Sequence, residues 1–243
     1  MGLQYAAELA EYGCNILIVS NQKNELPRVS SDLHQRFGVE VSSLFLDLAK
    51  ESAASDLFGF CQDKGIEVDI LINDAGFFFF KELTQEDVAK TESMLFLHTM
   101  TPTLLCILFG NEMKKRGHGY IINMSSMTSQ LPMPGITIYS ATKAYLKSFS
   151  KSFYFEMRPY GVGVTTVCPG AIATPLYKFK PSLMKLGLKL GFIGTPEWLV
   201  GRALKGMFRR RRVVKPGFMN FYLPLLITIL PKHTVARLWK KYK

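Results

Sequence analysis

Short apolar runs alternate with amphipathic stretches along most of this chain, and the alternation predicts strands and helices in turn. The runs are about five residues long and rich in branched apolar side chains, which is typical of strands covered on both faces. They lie at 15–20, 41–46, 68–73, 120–124 and 162–168, with a last short strand at 213–214. Helices are predicted at 1–13, 27–37, 86–113 and 138–157 and from Thr195 onwards. Strands that alternate with helices favour an α/β domain with a parallel sheet.

A tyrosine and a lysine lie four positions apart at the start of the helix predicted for 138–157, in the order Tyr-Ser-Ala-Thr-Lys from Tyr139 to Lys143. Residues at this spacing share a helix face, so the ammonium should lie close to the phenol. A nearby cation favours the phenolate and should lower the pKa of Tyr139 from about 10, which would make it a usable general acid or base. Ser126 follows the strand at 120–124 and could hold a substrate oxygen. Without context, an amphipathic helix with an exposed lysine explains the same spacing.

The chain has 243 residues, enough for one domain with a single core. Its 30 basic and 19 acidic residues give a net charge of +11, which suits a phosphorylated cofactor or an acidic lipid surface. No nucleic-acid-binding motif accompanies the charge, and we expect no nucleic-acid partner. The four cysteines form no Cys-x-x-Cys pair. Three of them lie in apolar runs and predict buried thiols in a reducing compartment, and we expect no metal site. We expect neither an ordinary transmembrane span nor a signal peptide, and a cytoplasmic location that can include the membrane surface.

Two further motifs follow predicted strands. Asn-Asp-Ala-Gly ends the strand at 68–73, and Pro-Gly-Ala-Ile-Ala-Thr follows the strand at 162–168. Together with Ser126 and the Tyr139–Lys143 pair, in this order and at this spacing, they resemble the short-chain dehydrogenase/reductase family. The similarity is to its branch of 17-beta-hydroxysteroid dehydrogenases and long-chain 3-ketoacyl reductases. It covers essentially the whole chain and implies a doubly wound, Rossmann-type domain over 1–217 and hydride transfer between a nicotinamide cofactor and a hydrophobic ketone or secondary alcohol.

The resemblance also implies roles for individual residues. Tyr139 would donate the proton, Lys143 would lower its pKa and hold the ribose, and Ser126 would polarise the carbonyl. His98 stands where family members often carry an asparagine that holds a water, and it could relay protons. A histidine packed on a helix face explains His98 equally well. The implied cofactor contacts are Gly2, Asp47, Leu48, Asn73, Ala75, Gly76, Tyr139, Lys143, Pro169, Gly170, Ile172 and Thr174.

One of these contacts has an alternative explanation, and two other stretches bear on the resemblance and on the choice of cofactor. Asp47 is implied as a contact to the adenine, but an aspartate here would equally serve as the N-cap of a helix that follows it. Asp74 departs from the usual Asn-Asn-Ala-Gly of the family. The strand at 15–20 ends in Ser-Asn-Gln-Lys, without the acidic residue that binds the adenosine ribose and favours NAD. Lys23 could meet a 2′-phosphate, so we favour NADP(H) over NAD(H).

The first thirteen residues predict a helix that extends from the very start of the sequence. In the family a strand and a glycine-rich loop precede this helix, and their backbone amides approach the cofactor pyrophosphate. Only the last of those glycines has a counterpart, Gly2. The resemblance therefore predicts that the central strand of the sheet and most of the loop are missing from 1–243. Either roughly a dozen preceding residues complete the domain, or the chain is a catalytically silent, membrane-peripheral binding protein.

Two segments near the C-terminus predict apolar partners. The segment 176–192 corresponds to the substrate lid of the family, and its leucines, aromatics and lysines indicate a hydrophobic substrate with an acidic or thioester-linked end, although core packing explains some of them. The tail, 218–243, combines an uncharged apolar run with a basic end. Such a tail suits an acidic membrane surface, or contact with a second subunit of a homo-oligomer.

Overall fold

The computed structural model describes residues 1–130, 134–174 and 181–217, together with Asn220 and Tyr222. Almost all of the tail at 218–243 and part of the lid at 176–192 lie outside the described residues. The role of the tail, the domain boundary at 217 and the assignment of 176–192 as a substrate lid therefore stay predictions.

Helices and strands alternate through the described part of the chain. The helices are α1 (Gly2–Glu11), α2 (Leu26–Phe37), α3 (Ala53–Asp63), α4 (Val88–Leu95), α5 (Thr101–Arg116), α6 (Thr137–Met157), α7 (Pro181–Lys189) and α8 (Pro196–Phe208). The strands are β1 (Ile16–Ser20), β2 (Val41–Phe45), β3 (Ile70–Asn73), β4 (Gly119–Met124), β5 (Val162–Val167), β6 (Ala171–Ile172), β7 (Ile193–Gly194) and β8 (Val213–Val214). Every apolar run predicted as a strand forms one.

All strand pairs in the described part of the chain are parallel. In one group β3, β4, β5 and β8 lie side by side in that order, and in another β1 pairs with β2. The short strands β6 and β7 form a separate parallel pair. Helices cover the strands on both faces, so the predicted doubly wound, Rossmann-type α/β domain is confirmed. Parallel strands place their carboxyl ends at one edge, and ligands of such sheets bind there.

The two strand groups belong to one layer although no described hydrogen bond pairs β1 with β3. Ile16 of β1 and Ile72 of β3 pack into the same core cluster, together with α1 and α8. Leu17 of β1 and Leu71 of β3 pack into the cluster on the opposite face, with α3, α5 and α6. Because alternate residues of both strands face the same two cores, the strands are coplanar. No described strand lies between them.

The helix predicted for 86–113 is a continuous helical run with an irregular centre. A 3-10 turn, Gln85–Asp87, leads into α4, and a π-helical turn, Phe96–Met100, joins α4 to α5. Gly117 ends α5 with φ 78°. Of the helices described, this run from Gln85 to Arg116 is long and apolar enough to cross a membrane, but half of its most apolar stretch is buried inside the protein. A core helix has the same length and composition, so the run is weak support for a membrane span.

Candidate active site

Tyr139 and Lys143 lie on the first two turns of α6, against the end of β4. Both are buried, at 8% and 5% exposure. The Lys143 ammonium nitrogen donates a hydrogen bond of 2.8 Å to the carbonyl oxygen of Met124 and lies 5.7 Å from the centre of the Tyr139 ring. The structure thus brings the two residues together as their spacing predicted. Their chemical roles stay predictions.

Burial governs the ionisation of the groups around this lysine. It lowers the pKa of Lys143 to about 8, and the nearby carboxylate of Asp74 opposes that shift. Burial also raises the pKa of Asp74, while the Met1 amino group, Lys143 and a hydrogen bond from the Gly2 amide act in the other direction. A lysine with a lowered pKa can exchange a proton near neutral pH.

The serines at the end of β4 have different hydrogen bonds. The Ser125 hydroxyl donates to the carbonyl oxygen of Lys143 at 2.7 Å, so it ties the strand to α6. The Ser126 oxygen accepts from the amide and the hydroxyl of Thr128, at 3.1 and 2.9 Å. Both bonds use lone pairs of Ser126, so among the described residues its hydrogen is left for a substrate oxygen. This difference supports Ser126 as the candidate, as the spacing to Tyr139 did.

His98 lies within the π-helical turn and is 1% exposed. Its Nε2 accepts a hydrogen bond of 3.2 Å from the Phe77 amide, and its Nδ1 lies 3.1 Å from the Thr142 hydroxyl oxygen. Burial, followed by the charge of Lys143, lowers the pKa of His98 to about 2. Gly76 must lack a side chain here, because a Cβ would come within 2.8 Å of the histidine Nε2.

A buried network of polar side chains joins the Asn73–Gly76 turn to α6. The Asn73 amide donates to Asn123 Oδ1 of β4 at 2.7 Å, and the Asn123 amide donates to the Ser150 hydroxyl of α6 at 2.9 Å. Ser150 in turn donates to the carbonyl oxygen of Leu146. Asn73 therefore holds β3, β4 and α6 together, whatever its relation to a cofactor.

An apolar wall borders Tyr139. Phe78 packs edge-on against the tyrosine ring, with centroids 5.0 Å apart, and the phenylalanines that follow the Asn73–Gly76 turn pack on Met94 and Ile136. Phe77, Phe78 and Phe79 therefore contribute to the core. Because the wall contacts the candidate acid, a bound substrate beside Tyr139 would meet an apolar surface.

The implied cofactor contacts follow the strand ends. Ala75 and Gly76 are exposed after β3, Pro169 and Gly170 follow β5, and the Pro169 carbonyl oxygen accepts from the Met127 amide at 2.8 Å. Ile172 is buried in β6, and the Thr174 amide donates to its carbonyl oxygen. Exposed backbone at this edge, with Tyr139 and Lys143 beside it, fits the nicotinamide end of a dinucleotide.

The contacts implied for the opposite end of a dinucleotide are Gly2, Asp47 and Leu48, and they stay predictions. Gly2 begins α1, where its amide bonds Asp74. The Asp47 carboxylate accepts from the Ala49 amide at 3.0 Å, and the Leu48 carbonyl oxygen accepts from Thr101. The alternative that Asp47 caps a helix is wrong, because α3 begins only at Ala53 and Asp47 closes a turn instead.

Sequence reasoning missed three polar residues that organise this region: Thr142, Asn123 and Ser150. A signal was present in one case, because Asn123 interrupts the apolar run of β4 and a polar residue in a buried strand needs a partner. Thr142 and Ser150 lie on a helix with many polar positions, so nothing in the sequence distinguishes them.

Comparison with known proteins agrees with this geometry. The family model for short chain dehydrogenases matches residues 1–183. The chain is 33% identical over 214 residues to the very-long-chain 3-oxoacyl-CoA reductase of Homo sapiens, covering 84% of this chain but only 64% of that protein. It is 26% identical over 183 residues to the 17-beta-hydroxysteroid dehydrogenase type 3 of Mus musculus, covering 74% of this chain and 59% of that protein.

Solved structures show the same fold. A short-chain dehydrogenase from Sphingobium yanoikuyae in complex with NADPH aligns with a TM-score of 0.78 and 25% identity, over 95% of this chain and 92% of that one. A 7beta-hydroxysteroid dehydrogenase aligns with a TM-score of 0.83 and 20% identity, over 97% and 91% of the two chains. With the Ser126, Tyr139 and Lys143 arrangement and the family match over most of its length, this chain belongs to the short-chain dehydrogenase/reductase family, in the branch of the very-long-chain 3-oxoacyl-CoA reductases and 17-beta-hydroxysteroid dehydrogenases.

Proposed function

We propose that this chain carries the catalytic centre of an NADP(H)-dependent oxidoreductase that interconverts a hydrophobic ketone and its secondary alcohol. The proposal rests on the position of Lys143. Its ammonium nitrogen donates a hydrogen bond to the Met124 carbonyl oxygen and lies 5.7 Å from the centre of the Tyr139 ring. This position directs a buried positive charge at the residue best placed to exchange a proton with the substrate.

The three candidate side chains divide the work of a carbonyl reduction. A bound nicotinamide supplies the hydride. The Ser126 hydrogen polarises the substrate oxygen, and Tyr139 gives its phenolic proton to the alkoxide that forms. Lys143 stabilises the phenolate left behind, because a neighbouring ammonium favours the ionised phenol.

Two observations support a hydrophobic acyl or steroid-like substrate. The phenylalanine wall packs directly on Tyr139, and relatives of the chain include enzymes named for 3-oxoacyl-CoA and for 17-beta-hydroxysteroids. The net charge of +11 suits a substrate with an acidic end. We take a long-chain 3-oxoacyl thioester as the first substrate to test.

The preference for NADP(H) rests on the end of β1. No acidic residue occupies Ser20 to Lys23, and the Lys23 ammonium lies 5.8 Å from the centre of the Phe45 ring at the neighbouring end of β2. A cation there would meet a 2′-phosphate, whereas an acid would repel it.

Replacement of Tyr139 by Phe tests the proposal. Turnover of 3-oxohexadecanoyl-CoA with NADPH should fall by about 100-fold or more, because the general acid is lost, while NADPH affinity measured by fluorescence titration should change little. Tyr145→Phe is the matched control, since Tyr145 lies on the same helix but is 44% exposed. Equal turnover by the wild type and Tyr139→Phe would contradict the assignment of the proton donor.

A silent binding protein is the second candidate function. For that function, a folded protein would bind neither NADPH nor NADH, and Tyr139→Phe would leave its binding activity intact.

We also propose that the chain forms a homo-oligomer. A peripheral contact through the tail would keep the protein at the cytoplasmic face of a membrane.

A further inference from the structure

The ring of His98 connects two segments of the candidate site that are distant in sequence. One is the loop after the Asn73–Gly76 turn, bonded through the Phe77 amide, and the other is α6, bonded through Thr142. The imidazole also lies beside two aromatic rings, with centroids 5.8 Å from Phe77 and 5.7 Å from Tyr139. The histidine is therefore packed between the apolar wall and the turn of α6 that carries the candidate acid.

The partners of His98 determine where its proton lies. A backbone amide can only donate, so Nε2 must accept from Phe77 and carry no hydrogen. The Thr142 hydroxyl donates its hydrogen to the Tyr139 carbonyl oxygen at 2.9 Å, so its oxygen accepts from the other ring nitrogen. His98 thus carries its single hydrogen on Nδ1, and the ring is neutral.

Protonation of the ring would break this arrangement. A hydrogen on Nε2 would point at the Phe77 amide hydrogen, and no described residue offers that nitrogen an acceptor instead. Among the described residues, the ionisable groups near the ring are Lys143 and Tyr139 on α6, and Asp74 on the turn lies near Lys143. The positive charge of Lys143 and the burial of the ring both oppose protonation, which agrees with the lowered pKa of His98.

We propose that His98 is a positioning residue, a permanently neutral clamp between the Phe77 amide and Thr142 that fixes the apolar wall against the Tyr139 turn of α6, and that it relays no proton. The clamp extends from the Phe77 amide through both ring nitrogens and the Thr142 hydroxyl to the Tyr139 carbonyl oxygen. Both nitrogens are engaged with protein atoms, and at 1% exposure the ring has almost no contact with solvent. The kinetic part of the inference rests on the proposed function, whereas the protonation state does not.

The protonation state can be measured on the intact protein by NMR with ¹⁵N-labelled histidine. The chain has four histidines, and the signals of His98 are identified by their absence from His98→Gln. We expect a protonated Nδ1, an unprotonated Nε2 and no titration between pH 5 and 9. A midpoint within that range, or a hydrogen on Nε2, would overturn the proposal even if the protein had no reductase activity.

Kinetics of three variants test the positioning role. His98→Phe keeps a ring and removes both hydrogen bonds, so we expect KM for 3-oxohexadecanoyl-CoA to rise about tenfold with an unchanged shape of the pH–rate profile. His98→Gln offers one acceptor and one donor, and should recover part of the loss. His118→Gln, on an exposed histidine, is the matched control. A loss confined to kcat with an altered pH profile in His98→Phe, and no recovery in His98→Gln, would instead establish a relay.

Discussion

Burial lowers the pKa of two basic side chains near Tyr139, with different consequences for their charge. Lys143 has a pKa lowered to about 8, which leaves both of its forms accessible near neutral pH. His98 has a pKa lowered to about 2, which leaves only the neutral form accessible. One residue is suited to proton exchange and the other to a fixed hydrogen-bond geometry, although both are almost completely buried.

The lowered pKa of His98 predicts an acid-sensitive stability. Below pH 6.5 the unfolded chain binds a proton at this histidine and the folded chain does not, so the free energy of unfolding falls as the pH falls. Between pH 7.5 and pH 5 this residue should account for a loss of about 2 kcal/mol. Urea unfolding of the wild type and His98→Gln at both pH values measures the difference, and His118→Gln serves as the control. Equal losses in the wild type and His98→Gln would contradict a neutral, buried His98.

At the scale of residues, the sequence predicts a contact when the two partners are close in the chain. The proximity of Tyr139 and Lys143 follows from helix geometry alone, and Ser126 lies at a strand end that the apolar pattern locates. The bond from His98 to the Phe77 amide spans 21 residues, and the one to Thr142 spans 44. Such contacts depend on how the turn, the π-helical segment and α6 pack, which a local pattern does not specify.

At the scale of elements, polar side chains within the core join the strands to the helix that carries the site. Asn123 is fully buried in β4 and bonds both Asn73 and Ser150. Apolar contacts have no preferred direction, so on their own they would allow α6 to shift along the sheet. Hydrogen bonds, by contrast, fix the register of helix and strand. The position of Lys143 against the Met124 carbonyl oxygen depends on that register.

Asn123→Ala should therefore destabilise the domain by about 2 kcal/mol, because it removes a fully buried side chain and leaves the half-buried Asn73 amide without its main acceptor. The free energy of unfolding in urea measures the effect. Asn111→Ala is a suitable comparison: Asn111 lies on the exposed side of α5, and its replacement should change stability by less than about 0.5 kcal/mol. If the two variants were equally stable, the network would not contribute to the fold.

Helices and strands were predictable wherever burial gives the apolar residues a regular spacing along the chain. The apolar runs become β1 to β5 and β8 because parallel strands are covered on both faces. Irregular elements were not predictable: the π-helical turn Phe96–Met100 has no apolar period of its own, and β6 and β7 are too short to show one. The helix expected directly after Asp47 begins later, because the aspartate closes a turn first.

At the scale of the whole molecule, positive charge is concentrated beside an exposed aromatic ring. Lys147 and Lys151 of α6 and Arg212 before β8 line one groove, and the Arg212 guanidinium lies 5.1 Å from the centre of the Phe155 ring. Phe155 is 57% exposed. Lys215 follows β8, and the apolar run of the tail begins three residues later. A basic face next to an apolar segment suits an acidic lipid surface.

This charge distribution predicts salt-sensitive binding to acidic vesicles. The full chain should co-sediment with vesicles of phosphatidylcholine and phosphatidylglycerol, and less in 0.5 M NaCl, which screens the attraction. Lys151→Glu with Arg212→Glu should weaken binding by at least about 30-fold, since each basic residue lost near a membrane removes about 1 kcal/mol and each added carboxylate repels acidic lipid. Lys50→Glu with Lys64→Glu makes the same change in net charge on exposed lysines elsewhere and should weaken binding far less. Equal weakening by the two pairs would mean that net charge alone attracts the protein, and unchanged binding by both would assign the contact to the apolar tail.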